Sequence, residues 1–501
     1  MQEHLRALFV IVLLASFGFD LAKKIAPKDI PAIDINRWRN MWLSVGITAF
    51  VAHDFWIYIV VASLLIPFFT AKAANKMAIF FILLFVIPPI SKAIPGMGLV
   101  NYLLTLSHPR FISLIILLPA AISISQKNTF TFGKIMADKL LLLYMTLVVC
   151  LQLRDTTFTD TLRTSIYMLT DVFLPYFVAS RSIKNLTQMH NVIYAFLTSA
   201  IVLSIIGVFE STKHWLLYIT LSNVLGADSV GSVYLGRNDD LRVMTTLGYP
   251  IAFGYFMAIA FGLYLYISNL IINKTLKRIG FVLLLLGLFV PLSRGPWIGA
   301  AATMVIFTLY GQNAFKKLSG LFFIAILTIP LLYILPNGQK YINLIPFIGE
   351  TENGNIAYRQ QLFNNSMIVI NRSPFFGSSN YLQTPEMQEL VQGQGIIDIV
   401  NTYIRVTLET GYIGLSLFVG VFISVLFTIR KQLKRLKDKT NPLYSLGGSL
   451  IATIVGIMIT IATVSSVATI PTIYWSILGV GVAFTRMFSD SISVIGKNEV
   501  V

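Results

Sequence analysis

Residues 391–427 read VQGQGIIDIVNTYIRVTLETGYIGLSLFVGVFISVLF, and this stretch decides the fold because it joins a polar segment to an apolar run. The run 415–427 has no charged or amide side chain, as a helix surrounded by lipid requires. Asp398, Asn401, Arg405 and Glu409 stand at its start. Such groups are costly in lipid and normally face a cavity or pathway. The stretch therefore predicts a helix that enters a membrane beside a polar site.

Apolar runs of similar length recur along the whole chain. Its 501 residues are 56% hydrophobic and 12% charged, with a mean hydropathy of +0.76. This pattern predicts an all-α polytopic membrane protein with roughly 14 transmembrane helices. The predicted spans are 6–22, 55–71, 77–93, 110–126, 136–153, 164–180, 190–210, 249–270, 279–292, 295–311, 318–335, 403–429, 443–465 and 471–488. The short run 41–53 is either a further span or a re-entrant piece.

The basic connector RKQLKRLKDK at 430–439 gives the orientation, because short cytoplasmic loops are rich in Lys and Arg. Counting spans back from it places two long connectors, 211–248 and 337–402, outside. The chain is then divided into N-terminal helices with the first long loop (1–248), central helices (249–336), a large extracytoplasmic loop that caps the bundle (337–402) and C-terminal helices (403–501).

Charge and metal-binding residues exclude other classes of protein. The net charge of +16 falls largely in short connectors, so it indicates membrane topology rather than nucleic-acid binding, with attraction to an anionic donor as the second interpretation. The single cysteine, Cys150, provides no disulfide framework, and the five histidines lack metal-ligand spacing. No metal and no cofactor are therefore expected.

The four polar residues at the start of the 403–429 span have the spacing of one helical face. Asp398, Asn401, Arg405 and Glu409 are three, four and four residues apart, and Arg405 can pair with Glu409. One interpretation is that they form a wall of an outward-opening polar cavity. The alternative is a helix N-cap with an internal salt bridge.

The turn PLSRGPWIGA at 291–300 holds a cation at the outer membrane boundary. Gly295 and Pro296 predict a tight reversal there. The guanidinium of Arg294 is suited to bind phosphate with two hydrogen bonds. The alternative is a snorkelling arginine beside an interfacial tryptophan, Trp297.

The long external connectors contain further candidate residues. Phe363, Met367 and Ile370 are spaced as the apolar face of an amphipathic helix that ends near 372–374, and Arg359 and Arg372 lie on this helix. Either arginine can point toward the cavity or meet lipid head groups. In the first loop, Arg237, Asp239, Asp240 and Arg242 are expected to pair with one another.

Three features together resemble the O-antigen ligase and Wzy-type polysaccharide polymerase superfamily. They are SRGPWIGA at 293–300, an external loop with an Arg-led helix and the turn SPFFG at 373–377, and NTYIRVTLETGYIGL at 401–415. The last is similar to the family pattern HN-x-YL…L-x-E-x-G-x-x-GL. The resemblance covers mainly residues 280–430.

This resemblance implies a metal-independent glycosyltransferase that takes a glycan carried on undecaprenyl diphosphate. It implies that Arg294 and Arg359 hold the donor diphosphate, and that Asn401, Tyr403 and Arg405 lie at the acceptor or diphosphate side. Glu409, Arg372 and Arg242 complete the expected substrate-binding set.

The chain departs from the ligase pattern at one position. The pattern has a histidine directly before the asparagine, where this chain has Val400. Asp398 is therefore the substitute candidate for a general base. Alternatively, the arginines stabilise the leaving diphosphate sufficiently, and Asp398 only positions Arg405.

The leading functional hypothesis is a polymerase of lipid-linked repeat units in surface polysaccharide synthesis. It would act at the periplasmic face of the bacterial inner membrane. A ligase that moves the finished glycan to another acceptor is the runner-up, and a transporter or flippase is the alternative of another class. The partners implied are an undecaprenyl-diphosphate-linked glycan, membrane lipid, a chain-length regulator and a flippase.

Overall fold

The structure is a computed structural model, and it describes residues 2–70, 75–96, 98, 100–126, 132–228, 234–237, 240–320, 323, 342–343, 353–392, 395–436 and 438–498. Most of these residues are helical. The described strands form two small antiparallel pairs, Ser91–Pro95 with Tyr102–Ser107 and Gly236–Arg237 with Asp240–Leu241. The predicted all-α class is confirmed.

Long and short helices alternate along the chain. Their bounds are Glu3–Ile25, Ala32–Val51, Phe55–Thr70, Lys76–Leu84, His108–Ile112, Leu118–Gln126, Met136–Asp155, Phe158–Met168, Leu174–Ser182, Leu186–Lys213, Leu221–Leu225, Pro250–Ile267, Lys274–Phe289, Arg294–Tyr310, Asn353–Arg372, Pro385–Gln388, Thr402–Leu433, Pro442–Ile461 and Ile470–Asn498. Two π-helical turns, Ser113–Leu117 and Leu169–Phe173, join helices without a break.

Seven of the described helical segments are long and apolar enough to cross a membrane. They are Glu3–Ile25, His108–Gln126, Met136–Asp155, Leu186–Lys213, Pro250–Ile267, Thr402–Leu433 and Pro442–Ile461. The chain is thus a multi-pass membrane protein, and the larger predicted number of spans stays a prediction. Residues 41–51 of the run 41–53 belong to the 20-residue helix Ala32–Val51. Most of the predicted span 318–335 lies outside the described residues.

The predicted span at 77–93 is wrong. Its helix, Lys76–Leu84, has only 9 residues and is about 14 Å long. Two side chains from distant segments bond to carbonyls where this helix stops. His108 Nε2 donates to the carbonyl of Leu83 at 2.9 Å, and Thr246 Oγ1 donates to that of Phe85 at 3.0 Å. They satisfy backbone groups that an early helix end leaves open inside the bundle.

Contacts between helix termini define two ends of the bundle. His190 contacts Asp29 and the Tyr266 hydroxyl (2.7 Å), and the rings of Tyr310 and Tyr444 lie 6.3 Å apart. We call this the basic end, because its nearby charges are mainly Lys23, Lys24, Lys28, Lys184, Lys274, Lys277, Arg278, Arg430, Lys431, Lys434, Arg435 and Lys439. The other end, where helices begin at Arg294 and Thr402, is called the site end.

Close packing of two helices fixes the geometry of the site end. A Cβ atom on Gly299 would lie 1.9 Å from Thr460 Oγ1, and one on Gly456 would lie 2.0 Å from Thr303 Oγ1. Small residues let helix backbones approach closely in this way. The start of the Arg294–Tyr310 helix is therefore held against the end of the Pro442–Ile461 helix.

Candidate active site

A short connector rich in hydroxyl groups lies at the centre of the site end. It consists of residues 463–466 (TVSS), between the last two long helices, and we call it the hydroxyl connector. Ser465 Oγ donates to Asp398 Oδ1 at 2.5 Å, and Arg405 Nη1 donates to the carbonyl of Ser466 at 3.0 Å. Two predicted site residues therefore meet through neighbouring residues of this connector.

Arg359 reaches the same connector from the helix Asn353–Arg372, which we call the cap helix. Its Nη2 donates to the carbonyl of Thr463 at 3.3 Å. Desolvation by the surrounding protein lowers the pKa of Arg359, Asp398 raises it, and Arg237 lowers it. An arginine remains charged despite such a shift. Arg359 is thus a fixed cation within electrostatic reach of Asp398.

Arg294 is next in sequence to Gly295, which packs against Thr463. A Cβ atom on Gly295 would lie 2.2 Å from Thr463 Oγ1, and Arg294 Nη2 donates to the carbonyl of Asn343 at 2.8 Å. Thr463 therefore accepts from Arg359 and packs against the helix turn that contains Arg294. The reversal predicted at Gly295–Pro296 is wrong, since both residues are in the first turn of the helix that begins at Arg294.

The chain instead reverses at residues 291–293, and arginines of the first long loop hold this turn. Leu292 has a left-handed backbone (φ 50°). Arg237 Nη1 donates to its carbonyl at 2.6 Å, and Arg242 Nη2 donates to Ser293 Oγ at 3.1 Å. Arg242 therefore lies immediately beside the start of the Arg294 helix. The predicted pairing among the charged residues of this loop includes Asp239, which lies outside the described residues.

The helix Thr402–Leu433 begins later than the polar spacing predicts. Asn401 is its N-cap, because Asn401 Oδ1 accepts from the N–H groups of Tyr403 (2.9 Å) and Ile404 (3.2 Å). Asp398 consequently lies before the helix, and the prediction of one continuous helical face is wrong for it. Tyr403 Oη donates to the carbonyl of Met458 at 2.8 Å.

The predicted pair of Arg405 and Glu409 is confirmed, with 2.9 Å between Arg405 Nε and Glu409 Oε1. Tyr381 Oη also donates to Glu409 Oε1 at 3.4 Å. Both parts of the alternative interpretation, a helix N-cap and a salt bridge, are therefore present. They coexist with the contacts that place Asp398 and Arg359 at the hydroxyl connector.

Tyr358 is a site residue that sequence reasoning missed. Its hydroxyl donates to the carbonyl of Asp398 at 2.9 Å and accepts from the N–H of Asp398 at 3.2 Å. Desolvation raises the pKa of Tyr358, a hydrogen bond with Gln392 lowers it, and the charge of Asp398 raises it. Tyr358 thus fixes the backbone of Asp398 while Ser465 fixes its carboxylate. The hydroxyl connector was also missed, although its sequence signal is a short polar stretch at 463–466 between two apolar runs.

Residues 353–392 and 395–400 form a cap with a separate hydrophobic core. The cap core is Leu362, Val369, Ile370, Tyr381, Met387, Leu390, Ile399 and Leu408. The cap helix ends at Arg372, as predicted. Its predicted apolar face is wrong at Phe363, which is 53% exposed, while Ile370 is buried. Arg372 pairs with Glu386 within the cap, and these contacts do not bring it to the connector.

A backbone interlock joins the cap to the helix Thr402–Leu433. Gly411 interrupts the helix with φ 67° and ψ −171°. The N–H of Tyr412 donates to the carbonyl of Pro374 at 2.7 Å, and the N–H of Ser378 donates to that of Leu408 at 2.9 Å. The SPFFG turn therefore fills the break in the helix, and it ties the cap to the helix that carries Arg405.

The fold and this cluster together define a class. The chain is a multi-pass membrane protein with arginines, a carboxylate and hydroxyl groups gathered at one end of its bundle. Among the described residues, no group of three or more His, Cys, Asp or Glu side chains could hold a metal ion.

Residues 279–419 match the family model described as O-Antigen ligase. The match confirms the resemblance predicted from the sequence, and it supports an O-antigen ligase-like or polymerase-like activity in general. No curated protein matches the chain. The matched segment includes Arg294, Arg359 and Asp398, whereas the hydroxyl connector lies beyond it.

Proposed function

We propose that this protein polymerises undecaprenyl-diphosphate-linked oligosaccharide repeats at the extracytoplasmic face of the bacterial inner membrane. The observation that supports this most is the arrangement at the hydroxyl connector. Arg359 donates to the carbonyl of Thr463, the helix turn that contains Arg294 packs against Thr463, and Asp398 accepts from Ser465 two residues further on. One connector thus contacts a cation, a carboxylate and the start of the helix that carries the second arginine.

This arrangement suits a transfer from a lipid diphosphate. The bond between the anomeric carbon and the diphosphate oxygen breaks, and a hydroxyl of the acceptor sugar forms the new glycosidic bond. Arg294 and Arg359 stabilise the charge that develops on the leaving diphosphate. Asp398 accepts the proton of the attacking hydroxyl. Ser465 and Tyr358 hold that carboxylate in place through the hydrogen bonds described above.

The orientation follows from charge. Lys and Arg concentrate at the basic end, which is expected to face the cytoplasm. The site end, with the cap and the loop that contains Arg242, then faces the periplasm. A lipid-linked donor would reach the arginines from the outer leaflet, and its glycan would extend toward the cap.

A ligase is the second candidate, because the matched family is described as O-Antigen ligase. Val400 argues against the ligase mechanism, since it packs against the cap core where the ligase pattern has a histidine. A flippase is less well supported, because the polar site residues collect at one end of the bundle. A flippase path would instead carry such groups across it.

Deletion of the chain, followed by analysis of lipid-linked intermediates, separates these functions. Accumulated single repeats on the outer face would support a polymerase. Accumulated long chains would indicate a ligase, and repeats retained on the cytoplasmic face would indicate a flippase.

Two substitutions test the site itself. Arg294→Ala and Arg359→Ala should each lower transfer by about 10²–10³-fold while the protein still inserts, as expected for lost charge stabilisation. Arg39→Ala is the matched control, because Arg39 is an arginine near the basic end that pairs with Asp20. Normal chain formation in both site variants would refute the assignment.

A further inference from the structure

A cavity of about 400 Å³ opens at the basic end of the bundle, away from the site described above. It lies between the end of the Arg294–Tyr310 helix, the end of the Thr402–Leu433 helix and the start of the Pro442–Ile461 helix. Its lining combines three cations (Arg430, Lys434 and Lys439), two tyrosines (Tyr310 and Tyr444) and three leucines. Its volume is within the range of small-ligand sites, about 300–1,000 Å³.

The cations of this cavity have no salt-bridge partner among the described residues. Among the described residues, no carboxylate forms a salt bridge with Arg430, Lys434 or Lys439. Membrane topology and the negative end of a helix account for basic residues at this position. These two factors do not explain why two other helices add Tyr310 and Tyr444 to the same concave surface.

The tyrosines form an ordered side of the cavity. Their rings lie 6.3 Å apart, and Tyr310 packs directly on Gly448, where an added Cβ atom would lie 2.9 Å from Tyr310 Cβ. A larger residue than glycine would push this ring away. The position of Tyr310 is therefore set by close packing, and its hydroxyl and that of Tyr444 add possible donors to the three cations.

The leucines indicate an amphipathic ligand. Leu309 is 53% exposed on the outer surface of its helix, beside the cavity, where lipid tails would lie. A phosphate held by the cations would thus have an apolar path for an attached acyl chain. Basic pockets between transmembrane helices on the cytoplasmic side bind anionic lipid head groups in this manner.

We propose that the cavity bordered by Arg430, Lys434, Lys439, Tyr310 and Tyr444 binds a phosphate group, supplied by the head group of an anionic phospholipid. This site is separate from the glycan-transfer site, and it does not depend on the function proposed for that site. A bound lipid would join three helices of the bundle at the basic end.

The test uses the full chain reconstituted in nanodiscs of phosphatidylcholine with or without phosphatidylglycerol. Native mass spectrometry after release into detergent counts the phosphatidylglycerol that each protein retains. The triple variant Arg430→Gln/Lys434→Gln/Lys439→Gln should bind phosphatidylglycerol roughly a hundredfold more weakly, because each lost cation lowers the affinity by about a factor of five. Lys434→Gln alone should weaken binding about fivefold, which keeps the test available if the triple variant does not purify.

The matched control is Lys274→Gln/Lys277→Gln/Arg278→Gln, which removes the same charge at the same end but outside the cavity lining. This control should retain phosphatidylglycerol as the unchanged protein does. Equal loss in both triple variants would overturn the proposal, because it would show nonspecific attraction. So would the absence of any retained phosphatidylglycerol.

A second arm distinguishes the source of the phosphate. Inorganic phosphate is added to the protein in phosphatidylcholine nanodiscs, and thermal unfolding is recorded. No shift is expected, because inorganic phosphate lacks the acyl chain. A shift that depends on Lys434, without retention of phosphatidylglycerol, would overturn the lipid assignment in favour of a soluble phosphate ligand.

Discussion

Replacing Gly411 by alanine should uncouple the cap from the membrane helix. The backbone of Gly411 (φ 67°, ψ −171°) lies in a region that is essentially restricted to glycine. An added Cβ atom would also lie 2.2 Å from the carbonyl carbon of Phe375 and 2.4 Å from the nitrogen of Phe376. Both are backbone atoms, which cannot rotate away as a side chain does. The SPFFG turn must therefore leave the break in the helix.

The size of the effect follows from the strain that alanine adds to the closed state. The strained backbone costs about 1–3 kcal/mol. Opening breaks three backbone hydrogen bonds, from Tyr412 to Pro374, from Ile413 to Phe375 and from Ser378 to Leu408, in the variant and in the unchanged protein alike. They therefore do not alter the ratio of the two opening frequencies. At 1.4 kcal/mol per factor of ten, the strain alone should make opening of the interlock at least about fivefold more frequent.

Hydrogen exchange measures this opening directly. The amides of Tyr412 and Ser378 should lose protection in Gly411→Ala by the factor just given, and transfer activity should fall with it. Gly420→Ala is the control in the same helix, because its Cβ atom would meet only side-chain atoms of Leu140, the nearer one at 3.4 Å. Unchanged protection at Tyr412 and Ser378 in Gly411→Ala would refute the reasoning.

Three further outcomes are expected. Asp398→Asn should lower the transfer rate by at least about 10²-fold in an assay with labelled lipid-linked donor, whereas near-normal activity would leave Asp398 only a positioning role. Asp138→Ala should destabilise the fold by about 3–5 kcal/mol in thermal unfolding, because it leaves the fully buried Arg181 without its carboxylate partner. Arg372→Ala should leave thermal unfolding unchanged, since its pair with Glu386 is exposed. Lost activity in that variant would place Arg372 in the substrate site.

The class of fold could be predicted from the sequence because lipid imposes one rule on every span. Apolar runs long enough to cross a bilayer must be helical, whatever their neighbours are. The rule failed at 77–93, where an apolar run belongs to a short helix and to buried chain after it. Hydropathy indicates only that a segment is apolar. It does not distinguish a segment that contacts lipid from one that is buried inside the protein.

The site was predicted unevenly for a physical reason. Arg359 and Asp398 could be chosen as candidate residues because ionisable groups near apolar runs are rare. Thr463, Ser465 and Ser466 were missed because two of them act through backbone carbonyls, which every residue has. The role of Gly411 was equally hidden, since the need for glycine arises only when the SPFFG turn lies against it.

The short helix Lys76–Leu84 has a consequence for the order in which the chain is assembled. A segment about 14 Å long cannot span the roughly 30 Å of hydrocarbon by itself. The carbonyl of Phe85 obtains its hydrogen bond from Thr246, which is synthesised 161 residues later. Helices that span the bilayer independently can be inserted one after another as they leave the ribosome. The segment Lys76–Leu84 can therefore take its final position only after the first half of the bundle has been inserted. Until then it stays near the membrane surface or bound to a temporary partner.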